Sequence, residues 1–329
     1  MSTPLLSVVV PFYNTEAYFR ECLVSLYREC RRDTRIEVIL VDDGSTDGSA
    51  AIATEYARRL PERIRILTQK NLGQSQATNN GIKAAKGRYI GFADSDDWID
   101  EGMYTTMLDA AIDSHADMVI CDFRKHFPNG SSSVFRYIET GTKGLDPHKR
   151  PEVIFSIGFS PWNKLVRRDL FAQYNLFFPD NMIFQDLVVF VLMASKVHCI
   201  VNTGQAAYHY RIREGSLIHS WDDKVYDIFK ALDILRTRLP VSSQDALIRL
   251  AIWELVFSSL TRYIGRADER FSTYHEAVVK YVQAYFPGWQ TSRYLMTLPR
   301  WRRWYIRAVM RGWTWPVKLL SFLKRLMHR

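Results

Sequence analysis

The chain has 329 residues, 47% hydrophobic and 24% charged, enough for a sizeable core in one large domain or two ordinary ones. Its four cysteines (Cys22, Cys30, Cys121, Cys199) form no CxxC pair, which argues against a zinc site or a disulfide framework and fits a reduced, cytoplasmic setting. No apolar run reaches about 18 residues, so no spanning helix is expected, and the net charge of +9 is concentrated at one end: no acidic residue follows Glu276, while ten Lys/Arg lie between Arg293 and Arg329.

The opening stretch has no basic n-region and meets Pro11 and Asn14 at once, so it reads as a strand and not as a signal peptide. Ser7 to Val10 is β-branched, and Ala17 to Cys30 has helical spacing. Ile36 to Val41 is a second strand, ending in Asp42-Asp43-Gly44-Ser45. Thr46 or Asp47 is a candidate cap for a helix from Gly48 to Leu60. Ile64 to Leu67 reads as a third strand, Ser75 to Ala85 as a third helix and Tyr89 to Ala93 as a fourth strand. The β-α-β-α-β-α-β order predicts right-handed crossovers and a mainly parallel sheet flanked by helices. A helix is expected over Met103 to Ala116 and a strand over Met118 to Phe123. From Val153 to Tyr210 the pattern is mixed. Beyond about Ser220 it is helical: Lys224 to Leu239, Ser243 to Tyr263 and Thr273 to Tyr285. The expected organisation is three segments: residues 1–120, residues 121–219 and a helical extension over 220–329.

In a parallel α/β sheet, ligands bind beyond the carboxyl ends of the strands. Three such ends carry Pro11-Phe12-Tyr13-Asn14, Asp42-Asp43 and Asp94-Ser95-Asp96, which should meet in one cleft. Two carboxylates one residue apart on an extended segment project to the same side and repel each other without a cation. Oxygen ligands suit Mg²⁺ or Mn²⁺, and such an ion would neutralise a departing diphosphate. The plain alternative for Asp94 and Asp96 is a solvated acidic turn. For Asp42 and Asp43 it is a turn and cap sequence.

Residues 5 to 100 resemble the family 2 glycosyltransferases, which have the GT-A fold. The resemblance rests on Ser7 to Asn14, Val41 to Asp47, Asn71-Leu72-Gly73 with Ala77 to Gly81, and Gly87 to Ile90 running into Asp94 to Trp98. It implies that Pro11, Tyr13 and Asp43 hold the nucleoside, with Glu16 as an additional candidate. It implies further that Asp96 binds the metal and that Asp94 and Ser95 lie near the ribose or donor sugar. Ala77-Thr78-Asn79 stands where the family often has Ala-Arg-Asn.

The likeness extends to about residue 217 through Trp162-Asn163-Lys164, Gln185-Asp186 and Tyr208-His209-Tyr210-Arg211 followed by Ser216. The family's catalytic base matches Asp186, and Gln185 replaces a customary Glu. Inverting transfer needs one carboxylate to take the acceptor proton. The residue-level alternative for Asp186 is a helix N-cap. Trp162 is expected to stack on a sugar or to pack in the core, with Asn163 and Lys164 left for polar contacts. His209, Tyr210 and Arg211 are expected to reach the diphosphate.

The resemblance implies a nucleotide-sugar donor, UDP-linked by expectation, with residues 1–120 as the nucleotide-sugar half and 121–219 as the acceptor half of the GT-A domain. A membrane-facing tail suggests, by analogy, a glycan or lipid-linked glycan acceptor of the lipopolysaccharide, O-antigen or capsule kind. A sugar nucleotidyltransferase would need a Gly-rich loop after the first strand, and Pro11 to Asn14 holds no glycine. A binding protein with a decayed site stays open as an alternative. The tail interleaves Trp289, Trp301, Trp304, Trp313 and Trp315 with cations. It therefore predicts a peripheral anchor on an anionic membrane surface, at the inner face of the plasma membrane, through residues 293–329. A helical cap with a solvated basic face is the alternative. Nucleic acid is not an expected partner, since it would leave the acidic cleft unexplained.

Overall fold

The computed structural model describes residues 3–138, 142, 144–213, 223–263 and 269–327. Ser216 and the last two residues of the tail lie outside these. The chain divides into two compact units, Met1–Ser220 and Trp221–Arg329.

In the first unit the strands are β1 (Leu6–Phe12), β2 (Ile36–Asp42), β3 (Ile64–Thr68), β4 (Tyr89–Phe92), β5 (Trp98–Ile99), β6 (Met118–His126), β7 (Ser132–Phe135), β8 (Lys164–Arg167) and β9 (Ile200–Arg211). The helices are α1 (Glu16–Arg32), α2 (Ser49–Arg59), α3 (Gln74–Ala84), α4 (Met103–Asp113), α5 (Asp169–Gln173) and α6 (Gln185–Ala194). All strands join one sheet in the order β3-β2-β1-β4-β8-β6-β9-β5, with β7 on β6.

The pairs β3-β2, β2-β1 and β1-β4 are parallel, as the alternating repeat requires. Beyond β4 the sheet is mixed. β8 runs antiparallel to both β4 and β6, β5 is antiparallel to β9, and only β6-β9 is parallel. The expectation of a parallel sheet therefore describes the half in which each strand is followed by a crossover helix. The later strands lack that alternation.

β2 is buried along its whole length, and β1 at every residue but Pro11, because helices cover both faces. The approach of α3 to β1 depends on Gly81. A Cβ there would lie 2.3 Å from Val9 Cγ1.

The second unit is helical: α7 (Asp227–Arg238), α8 (Gln244–Ile252), α9 (Leu260–Tyr263), α10 (Glu269–Tyr285), α11 (Arg293–Thr297), α12 (Arg300–Met310) and α13 (Trp315–Met327). The single helix expected over Ser243 to Tyr263 is broken by a wide π turn, Trp253–Ser259. Ile228, Leu232, Leu235, Leu250, Leu255, Tyr274, Val278, Ile306 and Val309 are buried in this unit. Among the described residues no helix is long and apolar enough to cross a membrane.

Candidate active site

The loops leaving β1 and β2 are stitched together. Thr46 N–H donates to Asn14 Oδ1 at 2.8 Å, and Glu16 N–H donates to Asp47 Oδ2 at 3.0 Å. Asp47 also accepts from Ser49 N–H at 3.0 Å, so it supports the start of α2, and Thr46 does not. Glu16 Oε2 accepts from Gly48 N–H at 2.8 Å. The carboxylate of Glu16 thus pins one loop to the other. Pro11 is half-buried, and Tyr13 is 44% exposed.

Asp43 is 4% exposed, and its oxygens accept three hydrogen bonds. The donors are Gln69 Nε2 at 2.7 Å, Leu72 N–H at 2.8 Å and Gly73 N–H at 2.9 Å. Asp43 therefore holds the loop between β3 and α3, and Gly73 turns that loop with φ of 90°. A carboxylate offers about four acceptor directions, so one remains for a ligand.

At the end of β4 the acids are arranged differently. Oxygens of Asp94, Asp96 and Asp97 lie within 4.8 Å of one another. Asp97 was not singled out from sequence, yet it is the anchor of the group. It is buried and accepts from Tyr208 Oη and from Arg211 N–H, each at 2.8 Å. Tyr208 Oη in turn receives Asp94 N–H at 3.1 Å. Ser95 is buried between the flanking acids. Asp96 Oδ2 lies 2.6 Å from Arg213 Nε, and Asp96 O accepts from Arg211 Nε at 3.0 Å.

Arg213 was also missed. His209 and Arg211 alternate on β9, and continuing that period of two by one step reaches Arg213. Both guanidiniums lie over the Tyr18 ring, at 5.2 and 5.6 Å.

Burial, then the charges of Asp96 and Asp186, push Asp94 from 3.8 up to about 7. Burial likewise raises Asp97 well above the carboxylate range. The contribution of Asp186 to that shift puts its carboxylate within electrostatic reach of Asp94. Asp186 is not an N-cap. Phe184 holds that place with φ of 66°, an unusual left-handed conformation for a bulky residue. Asp186 is the second residue of α6 and accepts from Leu187 N–H at 2.8 Å. Burial raises its affinity for a proton, and Lys164 works against that rise. The neighbouring Gln185 keeps a buried Oε1 with no hydrogen-bond partner among the described residues.

The Trp162-Asn163-Lys164 run makes its contacts within the protein, Trp162 in the packed arrangement that was one of its two expected places. Trp162 is 6% exposed and stacks on Tyr208 and Tyr210 at 4.4 and 5.4 Å. Asn163 Nδ2 donates to Cys121 O at 2.9 Å. Lys164 is fully buried, and its Nζ donates to Ser160 O at 2.6 Å and to Asn163 Oδ1 at 2.8 Å. Burial depresses it to about 7, with Asp186 opposing. His209 also has partners within the protein. Its ring stacks on Trp98 at 4.9 Å and its Nδ1 lies 2.8 Å from His126 Nε2. Tyr210 lies close enough to Asp97, Asp94 and Asp96 for burial and their charges to push it up to about 12. Asn79 stands beside the missing family Arg. It clamps Phe178 through two backbone hydrogen bonds of 2.8 and 2.9 Å, while the Thr78 hydroxyl turns back to Gln74 O at 2.8 Å.

The donor set fits a hard divalent cation. Asp94 has no hydrogen bond or ion pair to its carboxylate among the described residues, and Asp96 has one cationic neighbour that an ion could displace.

Residues 7–174, just over half of the chain, match the model described as Glycosyl transferase family 2. The chain belongs to glycosyl transferase family 2. Among its family relatives is the uncharacterized glycosyltransferase EpsJ of Bacillus subtilis. It is 36% identical over 223 residues, a match that covers 65% of this chain and 63% of that protein. Among solved structures, Staphylococcus aureus TarS residues 1–349 in complex with UDP-GlcNAc has a TM-score of 0.75 at 22% identity, covering 98% of this chain and 91% of that one. TarS is a poly(ribitol-phosphate) beta-N-acetylglucosaminyltransferase. The mannosyltransferase PcManGT of Pyrobaculum calidifontis, in complex with GDP-Man and Mn²⁺, has a TM-score of 0.55 at 16% identity, covering 98% and 88%. At these identities the solved structures establish a shared fold, GT-A-like with C-terminal helices. In this family 2 chain, Pro11, Tyr13 and the acids after β4 stand at strand ends, where such a fold binds ligands.

Proposed function

We propose that this chain is an inverting glycosyltransferase that moves a sugar from a nucleotide donor, UDP-linked, to a hydroxyl of a bacterial cell-surface glycan or its lipid-linked precursor. One observation carries the reading. Asp186, half-buried in the first turn of α6, lies within electrostatic reach of Asp94 after β4, which supports reading a base and an acidic cluster as one site.

The chemistry follows from those residues. Asp186 takes the proton from the acceptor hydroxyl as that oxygen bonds to the anomeric carbon. The bond from that carbon to the diphosphate oxygen breaks on the opposite face, and the nucleoside diphosphate leaves with the electron pair. The carboxylate of Asp186, whose affinity for a proton is raised by burial, is a stronger base than a fully solvated one. The hydrogen bond from Leu187 N–H, and to a smaller degree the charge of Lys164, keeps that rise in check. Asp96, with Asp94, would hold a Mg²⁺ or Mn²⁺ ion, which supplies charge neutralisation at the departing diphosphate. Arg211 and Arg213 add fixed positive charge on the same side. Tyr13 offers a face for the base, and Asp43 offers its remaining acceptor position to the nucleoside. The UDP-GlcNAc complex of TarS supports a UDP donor, and the Mn²⁺ complex of PcManGT supports the metal.

We further place the basic tail on an anionic membrane surface, where a lipid-linked acceptor would be met. The support is composition and exposure. Trp301, Trp304, Trp313 and Trp315 are all exposed among cations with no acid nearby in sequence.

The test is release of nucleoside diphosphate from a panel of UDP-, GDP- and dTDP-sugars. Slow release from a UDP-sugar with Mn²⁺ or Mg²⁺, abolished by a chelator, is expected. No release from any donor, with or without membrane extract as acceptor, would leave only a binding protein.

A further inference from the structure

The second unit contains a cleft of about 430 Å³. Its walls carry the guanidiniums of Arg300, Arg303, Arg307 and Arg311 together with Trp304 and Trp313. The sequence builds it simply. Positions 300, 303, 304, 307 and 311 recur at three- and four-residue steps, so they share one face of α12 and its continuation. The opposite face supplies Tyr305, Ile306, Val309 and Met310 to the core.

Four like charges on one face repel. Among the described residues none of the four has a carboxylate partner. No acidic residue lies anywhere after Glu276 to provide one. All four are arginines, whose planar fork matches phosphate oxygens in pairs. The cleft is therefore complementary to an anion in both charge and donor geometry.

What stands beside the cleft indicates where that anion comes from. Trp304 in the wall lies 5.4 Å from Trp315 at the start of α13. Along α13, Trp315, Leu319, Phe322 and Leu323 are exposed at 51%, 49%, 59% and 44%. Their spacing of four, three and one places them in one apolar stripe. An apolar stripe bordered by tryptophans and arginines is the pattern of a helix lying in the headgroup layer. A soluble phosphate ligand would give no reason to leave these side chains bare.

We propose that this cleft is a specific site for the phosphate headgroup of an anionic lipid, with α13 lying in the membrane interface next to it. The proposal rests on the membrane placement above and deepens it. Attraction becomes a discrete phosphate site of four arginines, and the diffuse charge of the tail is secondary.

The experiment is sedimentation of the full chain with vesicles of phosphatidylcholine, with and without phosphatidylglycerol. Two variants remove the same charge. R303Q/R307Q empties the cleft, and R293Q/R302Q removes cations outside it. Thermal melting confirms that both fold. The cleft pair should lose at least about tenfold more affinity for phosphatidylglycerol vesicles than the control pair. Equal losses would mean diffuse attraction and would overturn the headgroup site while leaving membrane placement intact. Failure of the unaltered chain to bind any vesicle would sink both. Binding of glycerol 3-phosphate that is sensitive to R303Q/R307Q, without vesicle binding, would show a soluble phosphate ligand and overturn the lipid assignment. None of these outcomes bears on sugar transfer, which is measured separately.

Discussion

Two strand ends in this molecule carry paired aspartates, and they use them in opposite ways. After β2, Asp42 and Asp43 accept hydrogen bonds from neighbouring loops. Asp42 receives Ser45 N–H at 2.9 Å, and Asp43 receives three donors. After β4, Asp94 receives none at its carboxylate, and Asp96 has one arginine. Burial without partners is costly for a charge, and Asp94 responds by holding its proton up to about pH 7. The comparison teaches that an acidic strand end acquires its role from the donors around it. The pair after β2 holds loops, and the pair after β4 is left with acceptor capacity that, on the function proposed above, a cation would use.

Substitutions can break that contrast. The largest effect is expected for Asp96→Ala. It should cut metal-dependent transfer roughly a thousandfold, with no loss of melting temperature. A fall in both would make Asp96 as structural as Asp43. Next comes Asp43→Ala, which strands the N–H groups of Leu72 and Gly73 and the Gln69 amide. It should destabilise the fold by about 3 kcal/mol in denaturant titration, and a wild-type midpoint would contradict the loop-holding role.

The smallest effect sharpens the comparison through pH. The folded chain binds the Asp94 proton more tightly than the unfolded chain, since its value rises from 3.8 to about 7. Ionised Asp94 therefore destabilises the fold, fully above about pH 7 and not at all below about pH 4. Metal-free Asp94→Asn should melt higher than the parent at about pH 8, and the difference should vanish at about pH 4. A difference independent of pH would mean that the carboxylate is not strained by burial.

Much of this was legible in the sequence, for a physical reason. The alternation of β-branched strands and amphipathic helices through Phe92 fixes crossovers, strand ends and thus the cleft. The position of Asp186 was readable through its place after Trp162-Asn163-Lys164 and before Tyr208 to Arg211. What escaped were partners. Residue type does not say that Trp162 stacks on Tyr208 and Tyr210, or that Lys164 turns inward to Ser160 and Asn163. The hydrogen bond of Glu16 to Gly48 and the contact of His209 with His126 escaped likewise, because residue type does not name a polar side chain's partner. The antiparallel run of β8 was hidden because four residues without a crossover helix carry no direction. Arg213 was within reach had the alternation on β9 been carried one step further.

The central claim is that Asp186 is the base at the acidic cluster, and one paired measurement tests it most directly. Asp186→Asn is assayed for transfer and for UDP affinity by calorimetry in the presence of Mn²⁺. Turnover should fall by about 10²–10⁴-fold while the dissociation constant for UDP stays within about threefold of the parent. Turnover retained in the asparagine variant would remove Asp186 from the reaction and the proposed displacement with it.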